Sequence, residues 1–351
     1  MWLKVHRWTA LGIGWVLAAV GLMGAALVVA QPLDRWGHPE LFVAAPAPDP
    51  SPASLETIRT RLSNEFGKTA SVTFRPPREA GDTLWAIVRG PWNGTVYLHP
   101  QIGREQGRRG ESEGFVNLLF KMHSSLLMQD TGKALLAWIA LSYLFMLVSG
   151  LVLWWPLRWP PSLRIELRRG LLRGLFDLHR TAGVVLGLLI AVSVATGAYM
   201  AWRPLGEFVS ALAGSPLVKP PAVPKQSAAS ETRPTLDALV AKAQALFPEA
   251  PVGYVQVPST PSRPVRVRLR LRDDPHPNGL TSIWLNPLTG EVLAVQRWNE
   301  LDTGAKAVSY VYPLHIGELG GAPQQVLIFA SGLSLGVLGM SGLWLWWRRR
   351  R

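Results

Sequence analysis

Four of the seven histidines occupy matching positions in the two halves of the chain. Two of them precede a glycine by 18 residues, and the other two precede a glycine by 27 residues. The pairs are His6 with Gly24, His179 with Gly197, His123 with Gly150 and His315 with Gly342. Because sequence drift erases spacing that carries no function, the repeat favours a shared role for the four imidazoles.

These histidines have the number and placement needed for the axial ligands of two haem irons. A bis-histidine haem iron takes one neutral imidazole on each face, supplied by facing helices, and helix bundles hold such cofactors in their cores. The repeat predicts that His6 faces His179 and that His123 faces His315. The alternative is that all four are interfacial residues, since histidine is amphipathic like the neighbouring tryptophans.

Four uncharged, apolar stretches have to position the histidines. Each exceeds the roughly 20 residues that a helix needs to cross a hydrocarbon core about 30 Å thick. They run from Trp8 to Ala30, Ala134 to Leu157, Thr181 to Trp202 and Leu319 to Trp347. We predict a membrane α-helical protein, a four-helix transmembrane bundle with a pseudo-twofold internal duplication.

The segment from His123 to Trp154 is too long for one span. A continuous helix would measure about 46 Å, which exceeds the membrane core. Either His123 lies outside the core, or the segment breaks near Gly132 and folds back. Gly320 and Gly321 offer a similar break before the last stretch.

The net charge of +13 is concentrated at the ends of the apolar stretches. Basic residues dominate Met1–Arg7, Pro156–Arg180 and Arg348–Arg351, whereas the two long segments between stretches are close to balanced. Positive residues mark cytoplasmic loops, so both termini are predicted to be cytoplasmic and both long segments periplasmic, in a bacterial inner membrane. The expected partner of these charges is the lipid bilayer and not nucleic acid. A cleaved signal peptide is the alternative for the first stretch, which is longer than the usual apolar region of about 7–15 residues.

Each long segment has the pattern of a helix followed by a small antiparallel sheet, which predicts two periplasmic α+β domains. The predicted helices are Leu55–Phe66 and Leu236–Phe247. The predicted strands are Ser71–Phe74, Leu84–Arg89, Thr95–Leu98, Val252–Val257, Val265–Leu271, Ser282–Leu285 and Glu291–Val295. The Pro/Ala-rich stretches Ala44–Ala53 and Pro216–Pro234 are expected to be linkers.

This organisation divides the chain into eight consecutive segments. They are the first span (1–30), the first periplasmic domain (31–122), the second span with its outer approach (123–157), a basic cytoplasmic loop (158–180), the third span (181–203), the second periplasmic domain (204–314), the fourth span with its outer approach (315–347) and a cytoplasmic tail (348–351). The cytoplasmic loop is too short for a flavin or nicotinamide domain. Electrons from the cytoplasm would therefore need a separate cytoplasmic reductase or a membrane quinol as donor.

Other polar residues have less specific patterns. The histidines without repeat partners lie in turn-like loops and are expected to be solvated: His38, His99 and His276. Four arginines alternate with apolar residues, which predicts a solvated strand face, with an anion-steering patch as the alternative: Arg266, Arg268, Arg270 and Arg272. The absence of cysteine excludes disulfides, cysteine-ligated clusters and c-type haem attachment.

The chain resembles the PepSY-associated transmembrane family. The residues that carry the resemblance are the two His-Arg span starts, the two Gly-Leu-x-Leu-Trp-Trp span ends at Gly150 and Gly342, and the turn Asn286-Pro-Leu-Thr-Gly-Glu291. The first periplasmic segment departs from this pattern, with His99-Pro-Gln-Ile-Gly103 at the corresponding place. The resemblance implies PepSY-like periplasmic domains. Because the family includes siderophore-linked ferric reductases, it also implies haem b at the histidine pairs.

We predict a di-haem b electron-transfer protein, a transmembrane oxidoreductase that passes electrons from the His6/His179 haem to the His123/His315 haem. By resemblance, the periplasmic acceptor is a ferric siderophore that releases its iron as iron(II), and the cofactor carries the chemistry without a catalytic side chain. The alternative is a non-enzymatic PepSY membrane protein that binds or regulates a peptidase or another envelope partner. A transporter is disfavoured because the spans contain no carboxylate or lysine.

Two arginines directly follow the histidines at the span starts. Arg7 follows His6 and Arg180 follows His179. Guanidinium groups form charge-assisted hydrogen bonds with carboxylates, so these two are candidate partners of haem propionates. The alternative is that both arginines serve as topology anchors.

Overall fold

The structure, a computed structural model, describes residues 1–47, 51–156, 159–160, 163–215, 219–224 and 233–348. The chain divides into two compact units. The helical unit comprises Met1–Gln31, Leu118–Leu212 and Val311–Arg351, and the sheet unit comprises Pro32–Asn117 and Ala213–Tyr310. Parts of the predicted linkers Ala44–Ala53 and Pro216–Pro234, of the cytoplasmic loop 158–180 and of the tail 348–351 lie outside the described residues.

The elements alternate between the two units along the chain. Over the described residues the helices are α1 (Trp2–Gly37), α2 (Pro39–Phe42), α3 (Leu55–Phe66), α4 (Phe115–Ser125), α5 (Gln129–Trp154), α6 (Leu171–Val185), α7 (Gly187–Ala201), α8 (Arg203–Leu212), α9 (Leu236–Ala245), α10 (Thr303–Ser309), α11 (Val311–Ile316) and α12 (Gly321–Arg348). The strands are β1 (Ser71–Arg75), β2 (Leu84–Arg89), β3 (Gly94–Leu98), β4 (Glu105–Gly110), β5 (Val252–Val257), β6 (Val265–Leu269), β7 (Thr281–Leu285) and β8 (Val292–Gln296).

The long apolar helices coincide with the predicted spans. Within the described part of the chain, α1, α5 and α12 are each long and apolar enough to cross a membrane. Helices α6 and α7 meet this criterion only as a pair, which is bent by 64°. The prediction of a membrane protein with transmembrane helices is confirmed, and the count is three spans, or four if the bent pair is one span.

Glycines allow α1 and α12 to pack closely in the helical unit. A Cβ added to Gly21 would lie 2.8 Å from the Cβ of Leu335 and 3.1 Å from the carbonyl oxygen of Gly332. Small residues at such contacts maximise van der Waals packing between helices in lipid. The buried core of the unit continues through Leu17, Ile139, Ala140, Tyr143, Met146, Ile190, Val194, Ala198, Leu335 and Leu338.

The chain breaks sharply between α4 and α5. Leu126, Leu127 and Gln129 have left-handed backbone conformations, with φ of 51°, 61° and 55°. Such conformations are strained for residues other than glycine and persist only where the surroundings impose them. A Cβ on Gly132 would collide with the carbonyl oxygen of Ser125, so glycine is required for α5 to pass the end of α4.

A second break separates α11 from α12. It is made by glycines, since Gly317 has a φ of 80° and Gly321 has a φ of 58°. The breaks expected near Gly132 and at Gly320 and Gly321 are therefore present. They leave His123 and His315 on short helices that precede the spans.

One antiparallel sheet of eight strands runs through the described residues of the sheet unit, in the order β4-β3-β2-β1-β5-β6-β7-β8. Each long segment supplies four consecutive strands, and the two sets join where β1 pairs with β5, with Phe74 opposite Val255. Joining β1 to β5 satisfies two strand edges that would otherwise present unpaired backbone groups. The two predicted α+β domains (31–122 and 204–314) thus lie in a single unit with a shared sheet.

Helices α3 and α9 belong to the apolar core on one face of the sheet and cap each other at their N-termini. The Asp237 carboxylate accepts hydrogen bonds from the backbone N–H groups of Leu55 and Glu56, at 2.7 and 3.1 Å. The Glu56 carboxylate accepts one from the N–H of Leu236, at 2.9 Å. A carboxylate at a helix N-terminus satisfies otherwise unpaired donors and opposes the helix dipole. The core beneath includes Leu62, Phe74, Val88, Val96, Leu98, Leu239, Val255, Val267, Ile283 and Leu285.

Several local features differ from the prediction. Strand β4 is not among the predicted strands. Its polar sequence, Glu-Gln-Gly-Arg-Arg-Gly, lacks the apolar alternation that marks a strand. His99 and His276 are predicted to be solvated, but His99 is buried and His276 is half-buried. The Nε2 of His99 lies 2.8 Å from the carbonyl oxygen of Ala45. The four arginines are predicted to lie on a solvated strand face, but Arg266 and Arg268 are half-buried. Strand β6 ends at Leu269, and Arg270 and Arg272 beyond it are exposed.

Candidate functional site

The structure brings the four repeated histidines together as two pairs within the helical unit. His6 on α1 and His179 on α6 have ring centres 6.5 Å apart and ring planes at 90°. His123 on α4 and His315 on α11 have ring centres 6.2 Å apart and ring planes at 36°. The partners in each pair are those that the sequence repeat predicts.

In the His6/His179 pair, a serine holds each ring through Nδ1. His6 Nδ1 lies 2.9 Å from Ser149 Oγ and 3.2 Å from the carbonyl oxygen of Met146. His179 Nδ1 lies 3.2 Å from Ser341 Oγ. Both serine hydroxyls donate to the carbonyl three residues earlier in their own helix, which leaves the hydroxyl oxygen to accept from the imidazole.

In the His123/His315 pair, backbone carbonyl oxygens hold both rings. His123 Nδ1 donates to the carbonyl oxygen of Val20 at 2.9 Å. His315 Nδ1 donates to the carbonyl oxygen of Ser193 at 3.1 Å and also lies 3.0 Å from Thr196 Oγ1. Both carbonyls belong to helices that the sequence analysis assigns to the first and third spans.

These contacts determine the tautomer of the imidazoles. A carbonyl oxygen can only accept, so the proton of a neutral ring bound to it resides on Nδ1 and Nε2 keeps its lone pair. No hydrogen bond to any of the four Nε2 atoms is present among the described residues. Metal-binding histidines in proteins are held in this way, with the second ring nitrogen donating to a carbonyl or hydroxyl.

A glycine on another helix lies against the Cε1 atom of each histidine. An added Cβ would lie 2.9 Å from His123 at Gly24, 3.0 Å from His315 at Gly197, 3.2 Å from His6 at Gly150 and 3.4 Å from His179 at Gly342. Contacts under about 3.4 Å are tighter than those of most real Cβ atoms. The glycines of the repeat therefore lie beside the imidazoles. Each imidazole fills the space that a larger side chain at the glycine position would need.

The distance between the rings fits one metal ion in each pair. Two coaxial metal–imidazole bonds of about 2.0 Å, with each Nε2 about 1.1 Å from its ring centre, place the ring centres about 6 Å apart. Among the described residues, no group of three or more histidine, aspartate or glutamate side chains is placed to hold a metal. Two protein ligands on opposite sides suit a metal whose other ligands come from a macrocycle, as in haem.

The two arginines of the candidate site lie in different surroundings. Arg7 is exposed on α1. Arg180 lies on α6 with an Nη2 atom 3.8 Å from an oxygen of the buried Asp177, which also accepts from Arg173 Nε at 2.9 Å. The assignment of Arg7 and Arg180 to haem propionates stays a prediction.

The residues that orient the imidazoles are not among the predicted site residues. Ser149 and Ser341 directly precede Gly150 and Gly342, so the repeated Ser-Gly pair is a signal that could have found them. The carbonyls of Val20 and Ser193 have no side-chain signature. Thr196 has no counterpart in the first half, where Met23 precedes Gly24.

The fold and site define a helical membrane protein with an appended sheet unit and two histidine pairs. The model of the family described as the PepSY-associated TM region matches residues 3–349. The chain therefore belongs to the PepSY-associated transmembrane family, as the resemblance indicated. No curated protein matches it.

Proposed function

We propose that the protein is a di-haem b electron-transfer protein of a bacterial inner membrane, which reduces a periplasmic acceptor. The proposal rests on the two pairs of histidines. Their ring centres are 6.5 and 6.2 Å apart, and the Nδ1 atom of each of the four rings has a hydrogen-bond partner. A haem held this way supplies a one-electron couple between iron(III) and iron(II). This is an oxidoreductase that uses no acid or base side chain.

The side chains of the site orient and pre-organise the ligands. The serine hydroxyls and backbone carbonyls hold each ring through Nδ1, and the absence of a Cβ on the facing glycines makes room for the rings at Cε1. Buried residues such as Tyr143 and Ile190 exclude water from the core of the helical unit. Rigid ligands in a dry environment lower the reorganisation that accompanies a change of charge.

The proposed topology places the two histidine pairs at opposite ends of a four-span bundle, with the bent pair α6 and α7 as the third span. The basic segments support cytoplasmic termini, so the His6/His179 pair lies on the cytoplasmic side and the His123/His315 pair on the periplasmic side. The paired His–Gly contacts, the strand order that is symmetric about β1 and β5, and the mutual caps of α3 and α9 support an origin by duplication.

The electrons enter from a membrane quinol or a separate cytoplasmic reductase. A quinol oxidised to a quinone releases two protons and two electrons, which reduce two iron(III) ions to iron(II). The acceptor that the family resemblance implies is a ferric siderophore, which holds iron(II) less tightly than iron(III). The iron here is substrate and is distinct from the haem iron.

An absorption spectrum of the detergent-purified chain tests the proposal. We expect a reducible b-type spectrum with about two haems per chain. A matched His38→Ala variant should keep this content, since His38 is exposed and belongs to the sheet unit. A colourless protein from cells supplied with haem would refute the proposal and favour a non-enzymatic role as a membrane-anchored binding protein.

A further inference from the structure

The face of the sheet opposite α3 and α9 carries arginines interleaved with aromatic rings. Arg75 pairs across strands with Trp85, Arg268 with Tyr254, and Arg266 with Trp284. We call these six residues the arginine–aromatic face. Side chains two residues apart on a strand are about 7 Å apart, so Arg266 and Arg268 are adjacent on this face.

Arginine side chains stack on the rings of this face. The Cζ atom of Arg75 lies 4.1 Å from the ring centre of Trp85, and that of Arg266 lies 4.6 Å from the ring centre of Trp284. Arg268 lies 6.0 Å from the ring of Tyr254. Stacking on an indole holds a guanidinium plane in place while its edge stays available for hydrogen bonds.

Arg266 has a different environment from the paired arginines elsewhere in the sheet. Arg89, Arg108 and Arg109 each form an ion pair, with Glu111, Glu65 and Asp34 respectively. Arg266 donates from Nε and Nη2 to a single neutral atom, Ser282 Oγ, at 3.0 and 2.7 Å. It is half-buried, and no carboxylate pairs with it among the residues that the structure describes.

The local field around Arg266 and Arg268 is positive. Burial and the neighbouring Arg268 lower the pKa of Arg266 to about 10. Burial, Arg268 and Arg78 lower the pKa of His276 to about 3, so that ring stays neutral. The nearby acid is Asp274, whose two oxygens accept from the backbone N–H groups of Leu280 and His276. A half-buried cation without a carboxylate partner costs stability, and a bound anion would compensate it.

We propose that the arginine–aromatic face binds an anionic small molecule through its negatively charged oxygens. The N–H groups of Arg266 that Ser282 does not engage take the anionic oxygens, and the neighbouring Arg268, which donates to the carbonyl oxygen of Gly279, adds positive charge. If the proposed function holds, this ligand is the iron(III) acceptor, and the positive charge of the face favours an anionic catecholate chelate over an uncharged hydroxamate chelate.

Calorimetric titration of the full chain in detergent with gallium(III) chelates tests the inference. Gallium(III) replaces iron(III) without being reduced, so binding is measured independently of haem and of electron transfer. We expect the trianionic tris-catecholate complex to bind at least about tenfold more tightly than the neutral tris-hydroxamate complex, because only the former meets the guanidinium groups with charge. Equal affinities, or no binding of the catecholate complex, would overturn the inference even if both haems are present.

Variants locate the binding to the face. Arg266→Gln should raise the Kd of the catecholate complex about tenfold or more, and Arg266→Lys, which keeps the charge but loses the planar fork, should raise it less. Arg89→Gln is the matched control, since Arg89 belongs to the same sheet and is exposed beside Glu111. An unchanged Kd in Arg266→Gln, with an unchanged thermal midpoint as evidence of folding, would refute the assignment. Displacement of the chelate by phosphatidylglycerol vesicles would instead assign the face to lipid and also refute it.

Discussion

The two histidine pairs have nearly the same ring separation but are supported differently. His6 lies on the long helix α1 and His179 on α6, and their Nδ1 atoms contact serine hydroxyls of α5 and α12. His123 and His315 lie on the short helices α4 and α11, and their Nδ1 atoms donate to backbone carbonyls of α1 and α7. Serine hydroxyls therefore contribute acceptors only in the His6/His179 pair, and the other pair depends mainly on main-chain acceptors.

The supporting backbone differs in the same way. The His123/His315 pair follows from two chain breaks, one with three left-handed residues at Leu126, Leu127 and Gln129 and one made by glycines. It is also the tighter pair, since the glycines facing it leave 2.9 and 3.0 Å for an added Cβ, against 3.2 and 3.4 Å at the other pair. We infer that the His123/His315 pair is the more sensitive to backbone changes, and the His6/His179 pair to side-chain changes.

Loss of a ligand should have the largest effect and should be separable by pair. His6→Ala and His123→Ala should each lower the haem content from about two to about one per chain, because a single imidazole does not hold a bis-histidine haem. Haem extraction and quantification by the pyridine haemochrome measure this content. The double variant should be nearly colourless, and a double variant that keeps one haem would show that the ligands are other residues.

Replacing the glycine at the first break should affect one pair only. Gly132→Ala places a Cβ against the carbonyl oxygen of Ser125, which moves α4 and costs about 1–3 kcal/mol. We expect loss of the haem held by His123, with the other haem retained, in a redox titration monitored by absorbance. Gly187→Ala is the control, since an added Cβ there contacts nothing within 4 Å. Equal loss of both haems would contradict the separate support of the two pairs.

Much of the helical unit is predictable from the sequence because lipid imposes length and composition on each span. The pairing of His6 with His179 follows from repeated spacing. The breaks before the last helices of each half follow from the excess length of the segment after His123, as one of two alternatives, and from Gly320 and Gly321. The partners of Nδ1 do not follow, because the carbonyls of Val20 and Ser193 are available in any sequence. The shared sheet also escapes prediction, since β1 and β5 are joined by edge pairing between segments about 180 residues apart, which local periodicity does not encode.

Alanine at the facing glycines should give graded losses. Gly24→Ala leaves 2.9 Å between Cβ and the Cε1 atom of His123, so the ring must shift, whereas Gly342→Ala leaves an ordinary 3.4 Å contact with His179. We expect Gly24→Ala to reduce haem content or broaden its spectrum, and Gly342→Ala to have little effect. Gly12→Ala tests the helix itself, because an added Cβ there contacts nothing within 4 Å. A larger effect of Gly342→Ala than of Gly24→Ala would reverse the ranking of the two pairs.

The smallest expected effect concerns the serines of the His6/His179 pair. Ser149→Ala and Ser341→Ala remove an acceptor from Nδ1, which lowers the basicity of the ligand and stabilises iron(II) relative to iron(III). The midpoint potential of one haem should rise by tens of millivolts, a shift of about 1 kcal/mol or less, while the other haem keeps its potential. A spectroelectrochemical titration with unchanged haem content measures this, and movement of both potentials would indicate that the serines act through packing of the whole bundle.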